Sequence, residues 1–136
     1  MSVFSRILVL IDCSAVDQAI VSKILEIGKS ANRKITLVHV IHSHTLDQDR
    51  DLRQKSEVCM KKLEKQFIAQ GLKPSLLLLS GEPEEELLKE INEGQYDLVA
   101  LATHGHKILG DILYGSVSDT LKHNIKIPLL MVRGYL

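Results

Sequence analysis

Apolar positions along this chain fall into two alternating patterns. Five short runs, residues 6–11, 35–41, 75–79, 98–102 and 128–132, are nearly continuous in Val, Ile and Leu. Runs of that length and density predict strands covered on both faces, because a half-exposed strand alternates apolar with polar residues. Between the runs, apolar residues recur three and four apart. Val16, Ile20, Ile24, Ile27 and Ala31 form one stripe, Met60, Leu63 and Phe67 another, and Val117, Leu121 and Ile125 another. Each stripe predicts an amphipathic helix. A further helix is predicted from Pro83, which suits the first helical position, with Glu84, Glu85 and Glu86 where the helix dipole favours acids. Ser14-Ala15-Val16-Asp17 and Ser116-Val117-Ser118-Asp119 have the spacing of capping boxes and predict helix starts. Residues 42–51, polar and unpatterned, read as a mobile loop.

Strictly alternating strands and helices predict a three-layer α/β/α domain with a five-stranded parallel sheet and about four helices. If strand 1 is central and flanked by strands 2 and 4, the expected strand order is 3-2-1-4-5. In such sheets ligands bind beyond the carboxyl ends of the strands, where the order reverses. Asp12, Val40 and Gly105 end the three strands that meet there.

Residues 98–117, LVALATHGHKILGDILYGSV, carry the densest chemical signal. An apolar strand breaks at Thr103-His104-Gly105. Gly115 follows after nine intervening residues, and then Ser116 at a predicted helix start. Strand, glycine-bearing loop and helix N-terminus together suit phosphate: glycine admits the anion to the backbone, and the helix end offers unpaired N–H groups. His104 and His106 flank Gly105 as possible donors. Asp12, an acid closing an apolar strand, is the matching candidate on strand 1.

Composition narrows the alternatives. A chain of 136 residues, 45% hydrophobic and 25% charged, is expected to form one domain spanning 1–136. Lys plus Arg and Asp plus Glu both number 17, so no basic excess favours a nucleic-acid or acidic-membrane partner. No apolar run reaches the roughly 18 residues of a membrane span. The N-terminus has neither the basic start nor the cleavage site of a signal peptide, so a cytoplasmic location is expected. Two cysteines are too few for a disulfide framework. Cys13, before a helix N-terminus, reads either as a thiol of lowered pKa or as a small packed residue, and Cys59 as a core residue of the second helix. His39, His42, His44, His104 and His106 lack the tight spacing of a metal set, so no metal site is assigned. Lys107 belongs to no Walker motif, G-x-G-x-x-G is absent, and no nucleophile–base pair is recognisable. No catalytic residue is assigned, and the chain is read as a binding protein rather than an enzyme.

Over essentially its whole length the sequence resembles the universal stress protein family. Ile7-Leu8-Val9-Leu10-Ile11-Asp12-Cys13-Ser14 matches I-L-V-x-x-D-x-S, and Leu37-Val38-His39-Val40 is a shortened form of the second strand's L-x-x-x-H-V. Gly81-Glu82-Pro83 matches the Gly-x-Pro turn, and Pro128-Leu129-Leu130-Met131-Val132 the last strand. Of the nucleotide motif G-x2-G-x9-G-[ST], Gly105, Gly115 and Ser116 are in place, while Ala102 stands where the first glycine would be. The resemblance implies an adenine-nucleotide alpha-hydrolase-like fold that binds ATP, with Mg²⁺ on its phosphates. It implies Asp12 on a ribose hydroxyl and the Val40 backbone on adenine. Ala102, His104, Gly105, His106, Gly115, Ser116 and Val117 would then surround the phosphates. It also implies a homodimer through the last strand, which order 3-2-1-4-5 leaves at a sheet edge needing cover. Ala102 keeps open the alternative of a nucleotide-independent interaction protein of the same fold.

Overall fold

Strand β1 (Arg6–Leu10) lies at the centre of a five-stranded parallel sheet in the computed structural model, which describes residues 4–29, 32–104 and 112–134. The side chains of residues 104 and 112–116 lie outside that description. After β1 come α1 (Asp17–Gly28), β2 (Lys34–Ile41), α2 (Leu46–Ala69), β3 (Ser75–Ser80), α3 (Pro83–Glu93), β4 (Leu98–His104), α4 (Ile112–Asn124) and β5 (Leu129–Gly134). The strand order is β3-β2-β1-β4-β5, as the sequence predicted. In register, Val9 of β1 lies beside Leu37 of β2 and Ala100 of β4.

The pleat of β1 divides the core. Ile7 and Val9 turn to one face, where α1 supplies Ile20, Val21 and Ile24 and α2 supplies Met60, Leu63 and Phe67. Leu8 and Leu10 turn to the other, against Leu87 and Ile91 of α3 and Val117 and Leu121 of α4. These four side chains are at most 1% exposed. Alternation within a strand buried on both faces is what makes its sequence continuously apolar. At the opposite end from the candidate site, Asp97 accepts hydrogen bonds from Ser5 N (2.8 Å), Ser5 Oγ (3.1 Å) and Arg6 N (2.9 Å), which ties the start of β1 to β4.

Three local expectations need correction. Residues 46–51 are helical rather than loop, because Thr45 caps α2: its Oγ1 accepts from Gln48 N at 3.0 Å, while the Gln48 side chain accepts from His44 N at 2.9 Å. None of residues 46–55 is buried, and Leu46 is 86% exposed, so these turns carry no apolar stripe to read. Helix α1 starts at Asp17 with Val16 in the cap position, and the Ser14 hydroxyl donates to Asp12 Oδ2 (2.8 Å) instead of capping. Only the acid half of that capping box forms, Ser14 N donating to Asp17 at 3.3 Å. Helix α4 begins at Ile112, which places Gly115 and Ser116 inside it and excludes Ser116 as its N-cap.

Phe67 is fully buried near the end of α2 and closes the first core cluster. Phe67→Ala is expected to lower the unfolding free energy by about 3–5 kcal/mol, through lost transfer energy plus the cavity left behind. Its neighbour Ile68 is 52% exposed. Urea titration of Phe67→Ala and Ile68→Ala should therefore separate the two widely, and equal losses would contradict this core assignment.

Candidate functional site

Beyond the carboxyl end of β1 the backbone turns sharply and is held by one buried acid. Asp17, 3% exposed, accepts from the N–H groups of Asp12 (2.8 Å), Cys13 (2.7 Å) and Ser14 (3.3 Å). Consecutive N–H groups converging in this way form an anion-binding nest, and here the chain's own carboxylate fills it. The grip holds Cys13 at φ 61°, a left-handed conformation that costs a non-glycine residue roughly 1 kcal/mol or more. Burial pushes Asp17 up from 3.8 to about 6, with the nearby Asp12 charge adding to the rise and the three N–H donors opposing it.

Two further contacts fix the mouth of the sheet. The ring of His39, on β2, has Nδ1 2.7 Å from the Ile11 carbonyl. A carbonyl only accepts, so Nδ1 carries the proton and the ring clasps the ends of β1 and β2 together. Gly81 N donates to the Ile41 carbonyl at 3.0 Å, in a turn at φ 141° that glycine alone adopts without strain.

These contacts border a cavity of about 390 Å³. Asp12 and Val40, the two sequence candidates on β1 and β2, both line it. Asp12 receives the Ser14 hydroxyl on Oδ2, and its second oxygen has no partner among the described residues. Ala102 is 3% exposed, with its methyl packed among Ile7, Val9 and Val16, and its φ is not positive. The methyl that replaces the motif's first glycine hydrogen therefore points into the core. Val117 is also fully buried, against Leu8, Leu10 and Leu101, which leaves only its backbone for a ligand. His104 ends β4 beside Gly134. Gly105 and His106 lie outside the described residues, as do the side chains of His104, Gly115 and Ser116.

Helix α2 supplies a wall that no pattern in the sequence marked. Leu52, Lys55, Ser56 and Cys59 line the cavity, brought there because the crossover from β2 to β3 lays α2 beside the β1 loop. Cys13 and Cys59 are joined in a disulfide, with Cα atoms 5.9 Å apart. Neither a free thiol at Cys13 nor a simple core role for Cys59 describes them. The signal was absent because 46 residues separate the pair, and only the tertiary crossover makes them neighbours. Of the histidines read against a metal role, His42 and His44 pack edge to face at 5.2 Å, and His42 Nδ1 lies 3.7 Å from Glu82 Oε2.

The fold is a doubly wound parallel α/β domain with a cavity at the carboxyl ends of its strands, the position at which such sheets take ligands. The sequence matches the Universal stress protein family over residues 4–133, and the chain belongs to that family. It is 20% identical to the universal stress protein YxiE of Bacillus subtilis, over 96% of this chain and 99% of that one. With MJ0531 of Methanocaldococcus jannaschii it shares 29% identity over 60% of this chain, a match spanning about half (48%) of that relative's length. Among solved structures, that of MJ0577 superposes with a TM-score of 0.83 at 21% identity, covering 97% of both chains. A universal stress protein in complex with cAMP (TM-score 0.63, 20% identity, covering 96% and 98%) and one from Arabidopsis thaliana with AMP bound (0.66, 18%, 96% and 92%) share the fold.

The raised Asp17 carboxyl makes stability depend on pH. The folded chain holds this proton more tightly than the unfolded chain. Its contribution is therefore complete below pH about 4 and is lost as pH rises through about 6. Two pKa units correspond to about 3 kcal/mol. Asp17→Asn should flatten the pH dependence of the melting temperature between pH 4 and 6, measured by circular dichroism. Parallel profiles for the two proteins would remove Asp17 as its source.

Proposed function

We propose that this protein binds an adenine nucleotide at the carboxyl ends of β1, β2 and β4, and that nucleotide occupancy is its signal. The observation that carries the reading is the convergence of Asp12 and the Val40 backbone on one cavity at the point where the strand order reverses. The inward methyl of Ala102 supports it, because the substitution leaves the ligand side clear. The relatives holding cAMP and AMP support the ligand class. In this reading Asp12 takes a ribose hydroxyl and Val40 contacts adenine through its backbone. Gly105, Gly115 and Ser116, with His104 and His106, surround the phosphates, and the backbone of Val117 extends that cradle. For ATP, Mg²⁺ would offset the phosphate charge. Phosphoryl transfer needs an oriented nucleophile and donors for the transition state. No residue here is assigned to that work, and the proposed role is binding.

A second element of the reading is a homodimer through β5. This strand pairs only with β4, so its outer row of N–H and C=O groups faces outward. Met131 is 42% exposed on that edge strand, whereas Leu130 and Val132 pack into the core. Antiparallel pairing with a second copy satisfies both rows about a two-fold axis. A nucleotide-independent interaction protein would keep this dimer and lose the ligand.

Calorimetry against ATP, AMP and cAMP, with and without Mg²⁺, tests the first element. Asp12→Ala should weaken ATP by about 10- to 150-fold, the value of a charged hydrogen bond, and leave inorganic triphosphate nearly unaffected. Equal losses would move Asp12 to the phosphates, and no binding heat from the wild type at millimolar nucleotide would favour the interaction protein. For the dimer, light scattering of Met131→Lys should report monomer at concentrations where the wild type is dimeric. A wild-type monomer at tens of micromolar, or a dimer unchanged by Met131→Lys, would dismiss the β5 interface.

A further inference from the structure

The bond between Cys13 and Cys59 is the single covalent link between the loop after β1 and helix α2 among the described residues. It stands between two cavities. On one side lies the 390 Å³ cavity lined by Asp12, Val40 and Ser56. On the other lies a space of about 320 Å³ lined by Ser14, Asp17, Gln18 and Lys62. Cys13, Cys59 and Lys55 line both. We propose that Cys13 and Cys59 form a reversible thiol–disulfide site, whose state sets the position of Asp12 in the ligand cavity.

Three features of the surroundings support this, and a fourth opposes it in part. The pair lines both cavities, with Cys59 only partly buried against the core, and accessible disulfides are the ones open to exchange. Lys55 and Lys62 stand four residues before and three after Cys59 on the same helix, where their charges favour a thiolate. The buried Asp17 carboxylate lies within 4.8 Å of both sulfurs and opposes that effect in part. Finally, Cys13 occupies the left-handed region, next to Asp12 in the chain. The Asp17 grip and the disulfide together restrain Cys13 there; breaking the bond removes one of the two restraints, and relaxation of Cys13 toward negative φ then moves Asp12 and loosens the three N–H contacts to Asp17.

The exchange partner is a low-molecular-weight disulfide. The Cys13 thiolate attacks one of its sulfurs, the small disulfide's S–S bond breaks, and one small thiolate leaves. The Cys59 thiolate then attacks the Cys13 sulfur of the mixed disulfide, forming the Cys13–Cys59 bond and expelling the second small thiolate. Two electrons pass from the protein to the small disulfide, and the two protons of the protein thiols go to the departing thiolates. Reduction by two small thiols runs the same steps backwards.

The consequence for nucleotide rests on the function proposed above, so the test reads the two separately. The full chain is poised in glutathione buffers, and its thiols are trapped by alkylation and counted by mass. Both thiols should appear together in one two-electron transition. Hydrogen exchange at the Asp12, Cys13 and Ser14 amides should accelerate about tenfold on reduction. AMP affinity should fall about fivefold, and Cys13→Ser and Cys59→Ser should each match the reduced protein in every buffer. Thiols that stay free in oxidised glutathione, a bond that resists excess reduced glutathione, or exchange and affinity equal in both states would overturn the proposal. If neither state binds AMP but the thiol and exchange transitions occur together, the redox site stands and the nucleotide reading fails.

Discussion

A strand buried on both faces leaves only its ends for chemistry, and β1 is that strand here. Its side chains fill two separate cores, and its backbone is paired to β2 and β4 along both edges. A parallel sheet sends every strand's carboxyl end to the same side, so the ends of β1, β2 and β4 meet there. The position of the cavity follows from this arrangement. Asp12 and Val40 converge because they lie at the carboxyl ends of neighbouring parallel strands, with no side-chain interaction needed to bring them together.

Fixing that edge is costly, and the structure concentrates the cost in Asp17. A buried carboxylate whose pKa is raised to about 6 is less stable charged than it would be in water. In return it satisfies three consecutive N–H groups that would otherwise be orphaned at a sharp turn. His39 acts similarly from β2 by donating to the Ile11 carbonyl. These residues are best understood as positioning Asp12 and the strand ends. With its nest filled internally, the β1 turn is unsuited to phosphate.

Helix α2 gives the cavity its remaining wall and links it to redox chemistry. Its early turns hold by capping and by exposed contacts such as Arg53 Nη2 to Ser80 Oγ at 2.7 Å, while its later turns anchor in the core through Met60, Leu63 and Phe67. A helix anchored at one end and polar at the other can shift at the polar end with little loss of buried area. The disulfide sits between these two regimes and joins α2 to the loop bearing Asp12.

The amino-acid sequence by itself determined the layers, the strand order and the edge on which a ligand would sit. These depend on local periodicity, and continuous apolar runs alternating with three-and-four spacings leave few topologies open. Asp12 was legible for the same reason, as the acid that closes an apolar run, whereas Val40 was named through the family resemblance. The role of Asp17 as acceptor for three N–H groups and the inward turn of Ala102 were decided by tertiary structure. So were the α2 wall of Leu52, Lys55 and Ser56 and the bond between Cys13 and Cys59. Each depends on where a crossover lays one element against another, or on which way a side chain leaves its backbone. Contacts between residues dozens of positions apart leave no period in the sequence, and capped polar turns like those opening α2 leave no apolar stripe.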